Sequence, residues 1–308
     1  MKKYIITLII ITLLAFLSSC TGGNGSGNSN SNDNFRSGSE GLKFSFVADN
    51  PPSEVLSTQE LSVMTEFSNK GATNINPGGI IFYLTGYDST ILFGSQVQAM
   101  KLGELLEGKS QFNTQGSQSA FGKWVTRPNT KNLPRIDSFK QDLTLTACYR
   151  YSTIANPEVC VDPEKYDVAQ AGKCNFEVRN LGGNQGAPIT VSQVKLRTTS
   201  DTAYFEIHFQ NSGKGLAYLP SKGLDNCYTS LGVQDLNMIE LKKVSLSGVD
   251  FTNSCKPSRQ IRLQNGKGFI ACERPISGSY FTGVLDIELN YNYRESISKQ
   301  ITIVNLNK

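Results

Sequence analysis

The alternation of apolar and polar residues repeats along this chain at a fixed distance. Two strand-like segments each run into an Asn-x-Gly turn: residues 61–67 lead to Asn69 and Gly71, and residues 203–209 lead to Asn211 and Gly213. Alternation over this length predicts a half-buried strand, and Asn-x-Gly predicts a tight turn. The offset is the same for strand and turn, since 209 − 67 = 142 and 213 − 71 = 142.

The same offset returns near the end of each copy. Residues 143–151 align with residues 285–293, because 285 − 143 = 142, and Val159 and Val161 then fall on Ile301 and Ile303. Two distant segments with one offset indicate a duplicated unit. We therefore predict an all-β chain with two tandem β-domains, at residues 42–163 and 187–308, joined by a linker at residues 164–186.

Further segments complete this prediction. Strands are expected at residues 42–46 and 79–84, a hairpin at Asn265-Gly266, and a final hairpin in each copy, made in the second by residues 285–293 and 300–304. Glycines argue against a long helix at residues 95–107, which should be irregular or extended. Trp124 is expected to cap the core.

The order of these motifs resembles a known family. An Asn-x-Gly turn after the second strand, an apolar third strand and Leu106-Glu107-Gly108-Lys109-Ser110 resemble the CARDB-like, immunoglobulin-type domains of archaeal and bacterial surface proteins. The resemblance covers most of the first domain, but in the second only the Asn211 turn and the final hairpin. It implies tandem immunoglobulin-like β-sandwiches and no particular ligand.

The amino terminus has the pattern of an export signal. Lys2 and Lys3 precede an apolar run that ends at Leu17-Ser18-Ser19-Cys20. A transmembrane anchor is the alternative, but the run is short for a bilayer. The Leu-Ser-Ser-Cys run resembles the lipobox of prokaryotic lipoproteins, which implies a signal peptide at residues 1–19 and a lipid on Cys20. Residues 20–41, rich in Gly, Ser and Asn, are predicted to be a flexible tether.

Six cysteines remain after Cys20, an even number in an exported chain, which favours three disulfides. The expected pairs are Cys148 with Cys160, Cys255 with Cys272, and Cys174 with Cys227. A structural zinc site is the rival interpretation; the chain has no Cys-x-x-Cys motif and a single histidine, so no metal is predicted.

We predict no catalytic residues and no cofactor. His208, the only histidine, occupies the polar face of its strand and is expected to be solvated, as are Lys214 and Lys267 at turn tips. No Gly-x-Ser-x-Gly elbow is present, and the glycine run at residues 22–27 opens no helix. An acidic cluster of Asp162, Glu164 and Asp167 leaves Ca²⁺ binding or acid–base chemistry as an alternative.

The balance of charge argues against one class of function, nucleic-acid binding. Without Lys2 and Lys3 the chain carries 28 basic and 26 acidic side chains, which gives no electrostatic footprint for nucleic acid. We expect an exported, non-enzymatic protein, held by its lipid on the outer face of the cytoplasmic membrane or on an outer membrane. Thr21, rather than Asp, follows Cys20, so no familiar inner-membrane retention signal is present.

Adhesion, envelope structure or partner binding is the expected role, with a protein or a surface glycan as the partner. The loop of residues 85–93 either forms an exposed patch or folds back over the core, and the alternation of Ile91 and Phe93 favours folding back. Tyr87 is expected to remain outside at its tip and is the predicted contact residue. A solute-binding lipoprotein of a transport system and, less favoured, a carboxylate-dependent hydrolase are the alternatives.

Overall fold

A computed structural model describes residues 35–163, 174, 178–182, 184–228 and 231–306. The protein is all-β, with 53% strand and 5% helix, and its antiparallel sheets are consistent with the predicted β-sandwich class. The helical part of the described chain consists of short 3₁₀ turns at Thr130–Asn132, Pro220–Lys222, Val233–Asp235 and Thr252–Ser254.

The first copy contributes eight strands: β1 (Leu42–Phe46), β2 (Glu54–Leu56), β3 (Leu61–Asn69), β4 (Ile80–Thr85), β5 (Gln98–Lys101), β6 (Ala120–Thr126), β7 (Ser138–Ala155) and β8 (Glu158–Val161). The predicted strands at residues 42–46, 61–67 and 79–84 are confirmed. Residues 95–107 are irregular apart from β5, as expected.

The remaining strands are β9 (Val178–Asn180), β10 (Ile189–Thr198), β11 (Thr202–Asn211), β12 (Leu216–Tyr218), β13 (Met238–Leu246), β14 (Val249–Asp250), β15 (Gln260–Arg262), β16 (Lys267–Pro275) and β17 (Phe281–Val304). The predicted turn at Asn265 and Gly266 is confirmed, since both residues have positive φ angles, 51° and 75°, as a two-residue hairpin requires.

The duplication is visible in two corresponding small sheets. One has the order β1-β3-β6 and the other β16-β11-β10-β9. In the first, Leu42 pairs with Asn69, and in the second Ile189 pairs with Asn211. Because 211 − 69 = 142, β3 corresponds to β11, and their neighbours β6 and β16 occupy the same position.

The hydrogen bonds of the Asn-x-Gly turns are also duplicated. The Tyr151 hydroxyl donates to Asn69 Oδ1 at 3.2 Å, and the Tyr293 hydroxyl to Asn211 Oδ1 at 2.9 Å. Each asparagine Oδ1 accepts a second bond from the glycine N–H two residues later, at 3.1 Å in both turns. A Cβ added to Gly71 would lie 1.8 Å from the Tyr151 hydroxyl, so this approach requires glycine.

A long antiparallel ladder joins the two copies at the centre of a ten-stranded sheet, whose main order is β14-β13-β17-β7-β4-β5. Strand β7 pairs with β17 from Ser138 opposite Val304 to Ala155 opposite Ile287. Strand β8 continues the same register, since Val161 pairs with Phe281. The midpoint is Arg150 opposite Asn292, residues 142 apart, so a pseudo-two-fold axis relating the copies passes between them.

The predicted final hairpins are wrong. Residues 281–304 form one continuous strand, and β8 pairs with β17 rather than folding back on β7. The break between β7 and β8 lies at Pro157, which has no N–H for the ladder. The equivalent position in the second copy is Lys299, because 157 + 142 = 299, and there the strand continues.

The tandem arrangement suggested two separate compact modules, but the two copies are joined in the structure. Residues Phe35–Lys308 form one compact unit. The end of β17 pairs with β2 of the first copy, where Ile303 lies opposite Val55. On the other side of the axis, Thr198 of β10 donates to the carbonyl of Asp162, just beyond β8. Each copy thus receives the end of the other's last strand.

All six predicted cysteines are in disulfides, but two of the three expected pairings are wrong. Cys255 bonds to Cys272 as predicted, whereas Cys148 bonds to Cys227 and Cys160 to Cys174. Cys148 could not meet Cys160 across a hairpin, because β7 and β8 both pair with β17. Its side chain instead packs on the outer face of the large sheet, under the loop that carries Cys227.

Candidate binding surface

The outer face of the β1-β3-β6 sheet carries an exposed aromatic side chain. Along β6, Gly122 and Trp124 are buried, so alternation places Phe121, Lys123 and Val125 outside. Phe121 is 60% exposed. Trp124 is in the core, as predicted. Phe121 lies opposite Glu66 of β3, whose carboxylate accepts a hydrogen bond from Ser119 at 2.5 Å.

The corresponding outer face of the β16-β11-β10-β9 sheet has the same feature. Phe269 of β16 is 58% exposed and lies opposite His208 of β11. Tyr204, two rows away on the same face of β11, is also exposed. Because 208 − 66 = 142, Phe121 and Phe269 occupy equivalent positions about the pseudo-two-fold axis.

Polar and charged side chains lie on one side of the second phenylalanine, on β11 and β10. Glu206 Oε1 lies 2.5 Å from His208 Nε2 and 2.7 Å from Lys195 Nζ. The hydrogen bond from Lys195 lowers the pKa of the Glu206 carboxyl, with a smaller contribution from His208. The His208 ring is 5.7 Å from that of Phe269. His208 is therefore on the polar face, as predicted, as part of a partly exposed ion-pair cluster beside an aromatic ring.

An exposed aromatic anchor within a polar rim is typical of a protein-binding surface. We define the two aromatic faces as the outer surfaces around Phe121 and around Phe269. Neither was predicted from the sequence. The signal was nevertheless present in β6: once Trp124 is placed in the core, alternation puts Phe121 outside.

The predicted contact Tyr87 is not at a binding surface. It is 8% exposed, and its ring packs against Phe93 at a centroid distance of 4.8 Å. Burial raises the pKa of Tyr87 to about 12. Ile91 and Leu92 are buried too, so the loop folds back over the core. Burial of the apolar side chains of this loop is favourable, and the Tyr87 ring is buried with them.

The other candidate residues do not form a catalytic or metal-binding group. Asp162 is buried at the end of β8, whereas Glu164 and Asp167 lie outside the described residues. Within the described part of the chain, no three His, Cys, Asp or Glu side chains come close enough to hold a metal ion. Lys267 begins β16 and is exposed, as expected for a turn tip, and Lys214 is also exposed.

An open cleft of about 910 Å³ lies beside the β1-β3-β6 sheet and is lined mainly by polar side chains, among them Lys70, Glu104 and Glu107. Among the residues that the structure describes, no helix has both the length and the apolar composition to cross a bilayer. The predicted signal peptide, residues 1–19, and Cys20 lie outside the described residues.

The three disulfides indicate an oxidising compartment outside the cytoplasm. A scan against protein-family models gives no match to this chain, and no curated protein sequence matches it.

Proposed function

We propose that this is an exported, non-enzymatic protein, anchored by a lipid on Cys20, that binds a protein partner at the cell surface through its two aromatic faces. The observation that carries the proposal is the pair of exposed phenylalanines, Phe121 and Phe269, at equivalent positions in the two copies. Anchorage is supported by the Leu17-Ser18-Ser19-Cys20 run and the polar tether after it.

A protein partner is favoured over a glycan by the side chains around the rings. Exposed Val125 and half-buried Met64 extend the apolar area near Phe121, and Glu206 and Lys195 form a charged rim on one side of Phe269. Apolar anchors inside charged rims match the anatomy of protein interfaces. Two equivalent faces on one molecule allow bivalent attachment to a surface that presents the partner many times, which increases apparent affinity without new contacts.

The test measures adsorption of the full chain, purified in detergent, to envelope fragments of the host before and after protease treatment. Wild-type protein should bind, protease treatment of the fragments should abolish binding, and Phe121→Ser with Phe269→Ser should lower apparent affinity at least ~100-fold. Phe112→Ser is the matched control, since Phe112 is 91% exposed but lies in a loop outside both faces.

If binding survives protease treatment of the fragments, the partner is a glycan and not a protein. If the double variant binds as tightly as the wild type, the aromatic faces do not bind the partner. In the host, Cys20→Ser should move the protein from the detergent phase to the aqueous phase; retention in membranes would contradict lipid anchorage.

A further inference from the structure

The outer edge of strand β6 has no partner strand in the described part of the chain. On its inner side β6 pairs with β3, where Lys123 lies opposite Met64. Met64 directs both of its backbone groups the other way: its N–H donates to the carbonyl of Asn50 at 3.2 Å, and its carbonyl accepts from the Val47 N–H at 3.0 Å. The two residues of such a pair do not bond to each other, so the N–H and C=O of Lys123 point away from β3.

The backbone groups of Phe121 and Val125 point outward as well, because the direction alternates along the strand. Within the described part of the chain, no other backbone group bonds to these outward N–H and C=O groups. The side chains of Phe121, Lys123 and Val125 are exposed too. An exposed row of unpaired backbone groups is a template for pairing with another strand.

In the second copy the equivalent edge is already occupied. Ala271 of β16 is the counterpart of Lys123, because their partners on β11 and β3 are also 142 residues apart (206 − 64 = 142). The Lys256 N–H donates to the carbonyl of Ala271 at 2.7 Å, and the Ala271 N–H donates to the carbonyl of Lys256 at 3.1 Å. An extended segment therefore fits along this edge, and in the first copy no described segment takes its place.

The side chains beside the free edge define what an added strand should carry. Phe121 and Val125 flank Lys123, so the outer face of β6 reads apolar, basic, apolar. Cross-strand pairs are favourable between aromatic and β-branched residues and between opposite charges. A second copy of this chain fits less well. The register that pairs two β6 strands over their full length puts Lys123 opposite itself, and like charges in this position are destabilising.

We propose that the partner at the first aromatic face binds by strand addition. An extended segment of the partner protein pairs with β6, with an acidic residue opposite Lys123 and β-branched residues opposite Phe121 and Val125. This inference rests on the proposed function, because it takes the partner to be a protein. The exposed phenylalanines are equivalent in the two copies, but only the first copy can add a strand, so each chain binds one such segment.

The probe is the peptide acetyl-Thr-Val-Thr-Glu-Thr-Val-Thr-amide, which has the seven-residue length of β6. Calorimetric titration of the full chain in detergent should show one peptide per chain, with a dissociation constant below about 5 mM. N-methylation of the glutamate removes the N–H that faces β6 and should weaken binding at least ~10-fold. N-methylation of a threonine beside the glutamate is the matched control, because that N–H faces away from β6 and its loss should leave the affinity unchanged.

Two variants test the contact from the side of the protein. Lys123→Pro removes the outward N–H and leaves the ladder with β3 intact, since proline is tolerated on an edge strand; it should weaken peptide binding at least ~10-fold. Lys123→Glu should prefer a peptide with lysine in place of the glutamate by at least ~3-fold. Lys43→Glu, which makes the same charge change on edge strand β1, should keep the wild-type preference. Circular dichroism and melting temperature should show that each variant is folded.

Absence of peptide binding at about 5 mM, or equal effects of the two N-methyl groups, overturns strand addition. A dimer in sedimentation that Lys123→Pro abolishes would assign the edge to a second copy instead. In the envelope assay, strand addition predicts weaker binding of Lys123→Pro. Binding kept by Lys123→Pro but lost in Phe121→Ser with Phe269→Ser would overturn strand addition and retain the aromatic faces. Binding lost only in Lys123→Pro would retain the strand edge and exclude the phenylalanines as anchors.

Discussion

At the scale of single residues, one tyrosine–asparagine pair in each copy holds that copy to the central ladder. Tyr293 donates to Asn211 Oδ1 and accepts a hydrogen bond from the Gly215 N–H at 2.8 Å. Tyr151 makes the equivalent bond to Asn69. Burial raises the pKa of both phenols, so the neutral, donating form is the one present at physiological pH.

Tyr293→Phe removes this hydroxyl and leaves the Gly215 N–H without its acceptor. We expect the free energy of unfolding to fall by about 1–3 kcal/mol, the cost of leaving a buried polar group unsatisfied. Denaturant titration measures the change. Tyr228→Phe is the control, since Tyr228 is 41% exposed; the free energy of unfolding of this variant should lie within about 0.5 kcal/mol of the wild-type value. Equal effects of the two substitutions would show that the Tyr293 bond contributes nothing.

Burial of the tyrosine rings also makes the protein sensitive to alkali. The pKa values of Tyr149, Tyr151, Tyr218, Tyr291 and Tyr293 are raised above 10.0, mainly by burial. Between the unfolded and folded pKa values the native state binds more protons than the unfolded state, so stability falls as pH rises.

We expect the contribution of these tyrosines to the free energy of unfolding to be constant below about pH 9 and to fall steadily from about pH 10 upward. Denaturant titrations at a series of pH values measure this loss. Phenolate absorbance should show these five tyrosines ionising together with unfolding. Ionisation of these tyrosines near pH 10 in protein that remains folded would contradict the upward direction of their pKa shifts.

At the scale of elements, one disulfide fixes the loop that covers the large sheet. Cys148 lies in β7 of the first copy, and Cys227 follows Pro220–Lys222 in the second. The loop is also held by stacking of Tyr228 on Tyr83, with ring centroids 5.8 Å apart. The bridge therefore ties a covering segment of one copy to a central strand of the other.

Replacing Cys148 and Cys227 together with alanine should lower the free energy of unfolding by about 2–4 kcal/mol. The bridge closes a separation of 79 residues, against 17 for Cys255–Cys272. Chain-entropy arguments therefore predict a loss about 1 kcal/mol larger than that caused by removing the shorter bridge. Denaturant titration of both double variants makes the comparison, and a larger loss from the shorter bridge would contradict this ranking.

At the scale of the whole molecule, the exchange of strand ends joins the two copies into one folding unit. Ile301 and Ile303 of β17 are buried in the common core, next to strand β2 of the first copy. Val159 and Val161 of β8 are buried beside the start of β17. Removing either copy exposes these side chains and a row of unpaired backbone groups along the central ladder.

We expect fragments of residues 35–163 and 187–308 to be unfolded when expressed separately, because each loses the other half of the ladder. Circular dichroism and thermal melts test this. Co-expression of the two fragments should restore a cooperative transition, and full-length protein is the reference. A cooperative melt from either fragment alone would show that the copies are independent domains after all.

The sequence by itself determined the local structure and the duplication. Alternation placed residues 61–67 and 203–209 in strands, Asn265-Gly266 in a two-residue turn, and Trp124 in the core. A common offset of 142 residues identified the two copies. These features depend on neighbouring residues, whose periodicity and turn chemistry are legible in the chain.

Only the tertiary structure decided which strands lie side by side. Every strand offers the same backbone donors and acceptors, so alternation says which side chains share a face but not which strand pairs with it. For this reason the final hairpins, the partners of Cys148 and Cys160, and the exposure of Tyr87 were mispredicted. The aromatic faces likewise bring together strands that are far apart along the chain, as when Phe121 of β6 lies opposite Glu66 of β3.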